Sequence, residues 1–529
     1  MRRPEVLVLE LLTSSRGSGW YDRHVKLPNF SGIMAQVVAV WCQELGATVS
    51  YRTFTGNEPL ESLVAGSWDV VFISSYTRTA WAAYAIARHF DRRGTVTVLG
   101  GPHAHAWPED ARRFFDYVVG TTDRELLARI LEERRRATDG HGEWLEASRP
   151  LKALPGLRQR AQFLDLALRK ARLVASVPLL SSLGCPYSCA FCSDADSVFH
   201  QLESAAIEDD VGFARKAFPG GLLFWHDPSF GVRFDATLGA IERALDGRSL
   251  RLGAQTPLAL LSSGRIQRMA QAGFVALLPG VEGWQEPDPK LGQGRATGRD
   301  RLEATVGQIE ELLRLIPYVQ VNFIAGLDDE TGESFELTRE FVDRLPGVWP
   351  NYNLITAYGA ASPLSRGLAR EGRILPVPFP LLDQKTCPNV RYSARSLSTL
   401  FGRLVQLAEF SFGPSLALRR VRAGRGWRVR LINLLRARGN DQRRRLKWYR
   451  QMASWLATDR DFQRFFEGEG TRLPGPLREA AIARLGPFRA LLTATELSDL
   501  KAGPVQWTRR AFGEPVGQPR AVRLPPAAS

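Results

Sequence analysis

Cysteine is scarce in this chain, with five in 529 residues. So few, with no secretory signal ahead of them, exclude a disulfide framework and imply a reducing, cytoplasmic setting. The opening Met1-Arg2-Arg3-Pro4 leads into an apolar run at 6–9, too short for the core of a signal peptide and broken by Glu10. No stretch of about 18 uninterrupted apolar residues occurs, so no spanning helix is expected. Acidic residues are outnumbered, 55 against 70 Lys and Arg, for a net charge of +15. The basic excess collects after residue 400 and says little about the first two-thirds of the chain. Hydrophobic content of 44% with 24% charged residues fits a soluble globular protein, and the length suggests about three domains.

Three of the five cysteines nevertheless fall within eight positions. Residues 183–193 read Leu-Gly-Cys-Pro-Tyr-Ser-Cys-Ala-Phe-Cys-Ser, with Cys185, Cys189 and Cys192 as candidate ligands. A loop holding Gly184 and Pro186 can turn its thiolates toward one metal centre. Three ligands do not close a tetrahedral zinc site, and no histidine lies within the loop. On a four-iron cubane they leave one iron open to a cofactor or substrate. Cys42 and Cys387 are lone cysteines, Cys42 on an apolar helix face.

The remaining chain alternates strands and helices. Residues 5–12, 48–54, 69–75, 95–99 and 117–119 read as strands, with helices over 33–45, 81–90 and 123–133. That order predicts a doubly wound, Rossmann-like α/β domain over 1–132, whose ligands bind at the carboxyl ends of the strands. A charged, Gly- and Pro-rich linker is expected over 133–172, with a helix at 159–172. Strands are expected at 174–182, 221–225, 250–254, 275–278, 319–324 and 353–357, with helices between them. Such units place chemistry on the loops after the strands, as the cysteine loop is placed here. From 376 to 529 a basic helical region follows, with helices at 394–408, 427–437, 441–456, 459–466 and 476–485. Its arginines, interleaved with Trp427, Trp448 and Tyr449, admit a solvated helical face or a peripheral membrane patch beside Leu431, Leu434 and Leu435. No recognised nucleic-acid-binding motif accompanies the charge.

The Cys-x3-Cys-x2-Cys loop, with Phe191 before its last cysteine, resembles the hallmark of the radical S-adenosylmethionine (radical SAM) enzymes. The resemblance implies a partial (β/α)6 barrel over 173–375. It also implies a [4Fe–4S] cluster on the three cysteines, with SAM on the open iron. An electron from a flavodoxin- or ferredoxin-type donor would cleave SAM to a radical that takes hydrogen from an unactivated carbon of a small molecule or peptide. Trp225-His226-Asp227-Pro228 stands where the family contacts the SAM amino group, departing from the common Gly-Gly-Glu form, with Asp227 as an acceptor. Gly280-Val281-Glu282-Gly283 resembles the segment after strand four, with Glu282 as a polar partner for SAM or substrate. Ile324-Ala325-Gly326-Leu327 resembles the segment beside adenine, with Gly326 in it. Gln255 and Arg295 are rim candidates.

The first domain is similar to the cobalamin-binding domain that precedes many radical SAM barrels. The resemblance implies that Ser74, Ser75, Arg78, Gly100 and Gly101 approach cobalamin. Asp22-Arg23-His24 matches the family's cobalt-ligand loop only in part, because Leu27 replaces its glycine. The paired domains imply a cobalamin-dependent methyltransferase acting on an unactivated carbon. A radical SAM cyclase, rearrangement or oxidation enzyme, and a non-catalytic cofactor sensor, are the alternatives. In related enzymes the C-terminal region caps the barrel.

Overall fold

In the computed structural model the apolar run after Pro4 is strand β1 (Glu5–Leu11). The structure describes residues 2–15, 22–138, 140–171, 174–286, 289–359, 361–392, 396–438, 440–470, 472–498, 500 and 520–521. Every β1 residue from Val6 to Leu11 is buried, because helices cover both faces of a parallel sheet. Glu10 is the polar member of that run. It accepts from Ser31 Oγ at 2.7 Å, Tyr51 Oη at 2.8 Å and the Gly32 N–H at the start of helix Ile33–Glu44.

Strands β2 (Thr48–Phe54), β3 (Val70–Ser75), β4 (Val96–Gly100), β5 (Tyr117–Val119) and β6 (Glu143–Glu146) complete the sheet. Their order is β6-β5-β4-β3-β1-β2, all parallel, and the short strand Arg520–Ala521 pairs with the outer edge of β6. The order reverses between β1 and β3, so a crevice opens at their carboxyl ends. The segment expected as a linker therefore holds the sixth strand, and its helix runs over Leu157–Leu168. Four residues of Glu-Trp-Leu-Glu are too few and too polar to read as a strand alone; pairing with β5 makes them one.

The second sheet begins at β7 (Ser176–Leu179). The expected strand over 174–182 is shorter than that, because Ser182–Leu183 (β8) turns away to pair antiparallel with His200–Gln201 (β9). That small clasp closes the base of the cysteine loop. Strands β10 (Leu222–Trp225), β11 (Arg251–Ala254), β12 (Phe274–Leu277), β13 (Gly280–Glu282), β14 (Tyr318–Ala325) and β15 (Val348–Leu354) follow. The parallel order is β7-β10-β11-β12-β14-β15, and β13 also pairs with β14 just beyond β12. β12 and β13 are thus one strand interrupted at Leu278-Pro279. Among the described residues β7 and β15 do not pair, so the barrel is partial. The last strand starts five residues earlier than the expected residue 353. Pro350 hid it, but a proline is tolerated on an edge strand.

The basic region folds into helices Leu397–Phe412, Pro414–Ala423, Trp427–Arg438, Asn440–Thr458, Arg460–Phe466 and Gly475–Leu485. Helix Pro414–Ala423 was not expected, and the expected start at Ala394 lies outside the described residues. Several arginines grip the barrel rather than solvent. Arg420 is fully buried, 4.4 Å from the Trp349 ring centre, and donates to Val348 O at 2.9 Å and Ser411 O at 3.2 Å. Arg436 lies 4.6 Å from the same ring. Trp349 Nε1 donates to Asn433 Oδ1 at 2.7 Å. Arg420→Ala removes a desolvated cation–π contact and strands two buried carbonyls. The expected loss is about 2–4 kcal/mol, measured by chemical unfolding. Among the described residues no helix is long and apolar enough to cross a membrane.

Candidate active site

The cysteine loop leaves the barrel at β7 and is shaped by its backbone. Gly184 has φ +65°, and a Cβ there would collide with the Val198 carbonyl, so the turn requires glycine. Cys185 is buried, while Cys189 and Cys192 are half-buried. The Cys192 N–H donates to Cys189 O at 3.0 Å, folding the last two ligand positions into one turn. Ser229 Oγ lies 3.3 Å from Cys185 Sγ, and the Asp194 N–H donates to Cys192 Sγ at 3.4 Å. Such contacts orient thiolates and tune a cluster. Among the described residues no three His, Cys, Asp or Glu side chains gather as a single-ion site. On a cubane the three thiolates sit on separate irons, a wider spacing.

Lys290 is a residue that the sequence did not flag. Burial pulls its ammonium down, but the charges of Cys189, Cys185, Cys192 and Glu282 raise its pKa overall. Its Nζ lies 5.5 Å from the Tyr187 ring centre within the same loop. A cation beside three thiolates offsets their negative charge. Nothing local marks it, since it reaches the loop across about a hundred residues of chain.

The barrel candidates divide. Asp227 is fully buried. Its carboxylate accepts from Ser181 N at 3.0 and 3.1 Å, Ser181 Oγ at 2.8 Å and Ser182 Oγ at 2.6 Å. Burial raises its pKa, and these donors act against that rise. It clamps the exit of β7 into the cysteine loop, and in this structure it does not face the mouth. Glu282 ends β13 at φ +61°, a left-handed conformation that a non-glycine residue rarely adopts. It is half-buried, and its charge reaches Lys290. Gln255 is exposed where β11 ends, as is Arg295 farther along the rim. Gly326 has φ +97°, and a Cβ there would meet the Tyr392 hydroxyl. Its glycine is a packing need whatever lies above it. The nearby cavity, about 30 Å³ and lined by Glu282, Trp284, Phe323 and Leu327, has room for a water but not for an adenosyl group. His226 sits in a recess open to water, yet the surrounding protein removes enough hydration to push its pKa down to about 4.

The first domain's candidates lie at the carboxyl ends of β3 and β4. Gly101 has φ +88°, and a Cβ there would stand 3.0 Å from Ser75 O and 3.2 Å from Ser74 Oγ. A Cβ on Gly100 would meet nothing within 4 Å, so a cradle is open above it. Among the described residues the Ser74 hydroxyl has no hydrogen-bond partner, and it lies beside the Gly101 turn. Ser75 is instead buried, 2.8 Å from Thr79 Oγ1, and donates to Tyr76 O at 3.0 Å; it braces the turn. Arg78 donates to Leu12 O at 3.0 Å and stacks 5.5 Å from the Tyr76 ring centre, joining the exits of β1 and β3. His24 is half-buried in the helical turn Asp22–Lys26.

A buried relay beneath the cradle was also unforeseen. His103 lies 2.7 Å from Tyr84 Oη and 3.3 Å from Thr77 Oγ1, and Tyr84 donates to Asp110 at 2.7 Å. Burial pushes the His103 pKa down to about 3. A group whose folded pKa lies below its unfolded value stabilises the fold above the unfolded value, and the contribution is lost as pH falls. Between about pH 6 and pH 4 the parent should lose roughly 1.4 kcal/mol per pH unit more than His103→Gln. Urea unfolding at stepped pH measures the difference.

The two carboxyl edges face one another. His105, just past the Gly100-Gly101 turn, lies close enough to Asp194 of the cysteine loop to oppose the rise that burial causes in the Asp194 pKa. Gly359, beyond β15, packs against the Ala106 carbonyl so tightly that a Cβ would collide with it.

Among known proteins, no family profile matches the sequence. The chain is 32% identical to bacteriochlorophyllide d C-8(2)-methyltransferase of Chlorobaculum tepidum over 312 residues, 55% of this chain and 67% of that protein. It is 22% identical to the C-12(1)-methyltransferase of the same organism, over 55% of this chain and 64% of that protein. Its fold is similar to that of the radical S-adenosylmethionine methyltransferase TsrM from Kitasatospora setae, solved with cobalamin and a [4Fe–4S] cluster bound. The TM-score is 0.51 and the identity 15%, over 70% of this chain and 78% of that one. By its identity to the C-8(2) enzyme across 67% of that protein, the chain belongs to the radical SAM methyltransferase family whose barrel follows a cobalamin-binding-type domain.

Proposed function

We propose that Cys185, Cys189 and Cys192 hold a [4Fe–4S] cluster and that the crevice at Ser74, Gly100 and Gly101 holds cobalamin, for methylation of an unactivated carbon. The observation that carries this reading is the facing of the two carboxyl edges, through His105 and Asp194 and through Gly359 and Ala106. The residues present fit both groups: a donor set of three thiolates on one loop, and a cradle that a side chain at residue 100 would fill. When bound, the cluster with SAM supplies a hydrogen-abstracting radical, and cobalamin supplies a transferable methyl group.

The chain's own residues do the rest. Asp227 fixes the strand exit that carries the ligands. Ser229 and the Asp194 N–H orient Cys185 and Cys192, and Lys290 offsets the loop's negative charge. Glu282, held in a strained conformation at the end of β13 and electrostatically coupled to Lys290, would be a polar partner for SAM or substrate. Net methylation would replace a substrate C–H by C–CH3 and consume two SAM and two electrons: one SAM gives the methyl and leaves as S-adenosylhomocysteine, the other takes the hydrogen and leaves as methionine and 5′-deoxyadenosine, and a flavodoxin- or ferredoxin-type protein supplies the electrons. The substrate is a small molecule. The relatives act on bacteriochlorophyllide d, which makes it the first compound to try.

The test is anaerobic incubation of reconstituted protein with bacteriochlorophyllide d, a flavodoxin reductant and SAM carrying a deuterated methyl group. Labelled methyl in the product is expected. 5′-Deoxyadenosine with no labelled product would contradict methyl transfer and favour cyclisation, rearrangement or oxidation.

A further inference from the structure

Strand β14 alternates along its length. Val319, Val321, Phe323 and Ala325 are buried, while Tyr318, Gln320, Asn322 and Ile324 are half-buried. The buried set packs under helix Gly332–Arg344, with the Phe323 and Phe341 rings 5.6 Å apart. Gln320 and Asn322 therefore face the barrel lumen. In β15, Asn351 stands opposite Asn322 and Asn353 opposite Ile324. The chain beyond Leu382 runs along the open edge of β15, where Leu354 N–H donates to Gln384 O at 2.7 Å. From that segment Lys385 reaches Asn351 Oδ1 at 2.8 Å, Tyr352 O at 3.0 Å and Asn353 Oδ1.

An ammonium only donates, so it fixes which way a carboxamide points. Lys385 draws the oxygens of Asn351 and Asn353 toward itself. Asn351 Nδ2 is thereby turned to Asn322 Oδ1, 2.8 Å away. Arg436 fixes Gln320 in the same manner, donating to its Oε1 at 2.9 Å and leaving Gln320 Nε2 to donate to Asn322 Oδ1 at 3.4 Å. Each carboxamide oxygen in the group is thus engaged. The amide nitrogens of Asn322 and Asn353 have no hydrogen-bond partner in the described protein. Two cations orient four carboxamides so that the atoms left over are N–H donors. A half-buried cluster of that kind is poorly matched to a cation or an amine. It is matched to an oxygen carrying negative charge, which the polarised amides and nearby Lys385 both favour.

We infer that Asn322, Asn353 and Lys385 form a binding site for a carboxylate of the substrate, so the substrate class is an organic acid. This inference rests on the radical SAM reading only in that the substrate enters the barrel lumen. Asn322 and Asn353 would each donate through Nδ2, and Tyr318 and Phe224 supply aromatic surface on the same face of the sheet.

The test is calorimetric titration of the full-length reconstituted protein with 3-phenylpropionate and with its uncharged counterpart, 3-phenylpropan-1-ol. The acid should bind at least about tenfold tighter, the effect of one charge-assisted hydrogen bond. Asn322→Asp and Asn353→Asp keep the side-chain shape but replace the donors by acceptors. Each should weaken the acid at least about tenfold, with the melting temperature of Asn353→Asp unchanged or raised by its pairing with Lys385. Equal binding of acid and alcohol, no binding of either, or unchanged acid affinity in both variants would overturn the inference. Binding is read without turnover, so the two readings fail separately. Acid selectivity without methyl transfer removes the proposed reaction alone, and methyl transfer without acid selectivity removes the carboxylate site alone.

Discussion

Cys189→Ala is expected to leave a folded chain that holds little iron and no longer cleaves SAM. Cys189 is half-buried in a loop whose shape is set elsewhere, by Gly184, by the Ser197 contact to the Cys185 backbone at 3.1 Å and by the β8–β9 clasp. Removing one sulfur therefore costs little stability but takes away one of three thiolate ligands. Iron after anaerobic reconstitution should fall from about four per chain to well under one. Reductive SAM cleavage should fall to the background of protein-free controls. Circular dichroism and the melting curve should match the parent. A Cys189→Ala protein that kept its iron and still released 5′-deoxyadenosine would remove the cluster assignment.

The second large effect is expected at Gly100. A Cβ on Gly100 meets nothing within 4 Å, so Gly100→Phe starts its side chain into the open cradle without a clash at its root. In the cofactor-free protein the stability change should stay within about 0.5 kcal/mol. The added ring fills the cradle beside Ser74. Overpacking there costs about 1–3 kcal/mol, a loss of roughly one to two orders of magnitude in cobalamin affinity. Gly101→Ala serves as a contrast. It strains a backbone at φ +88° and presses on Ser75 O, so it should destabilise the cofactor-free protein as well. Equal cobalamin loading of Gly100→Phe and the parent, by absorbance after desalting, would place the cofactor elsewhere.

The sequence was most legible where structure is local or buried on both sides. The cysteine loop declares itself within eleven residues because its ligands share one turn. Strands β2 and β5 fall at their expected limits, since a run such as Tyr117–Val119 between charged helices has one stable use. Strand β15 was misplaced because Pro350 and the asparagines argue against a strand, and only its place at a sheet edge explains them. Strand β6 exists through pairing with β5. Side-chain roles were harder. Asp227 and Ser75 stand at the expected strand ends, but their oxygens turn back to brace the turns. Lys290, His103 and Lys385 act through partners far away in sequence, and no spacing rule reports such meetings. The tail's arginines looked like a solvated face because charge alone was visible. Arg420 became legible only when Trp349 and two carbonyls closed around it.

The most direct measurement is the metal and cofactor content of the parent protein after anaerobic reconstitution with iron, sulfide and cobalamin, read by absorption and elemental analysis. About four irons and one cobalt per chain are expected together, with the iron lost in Cys189→Ala and the cobalt lost in Gly100→Phe. Iron without cobalt in the parent, or cobalt retained in Gly100→Phe at the parent's level, would contradict it.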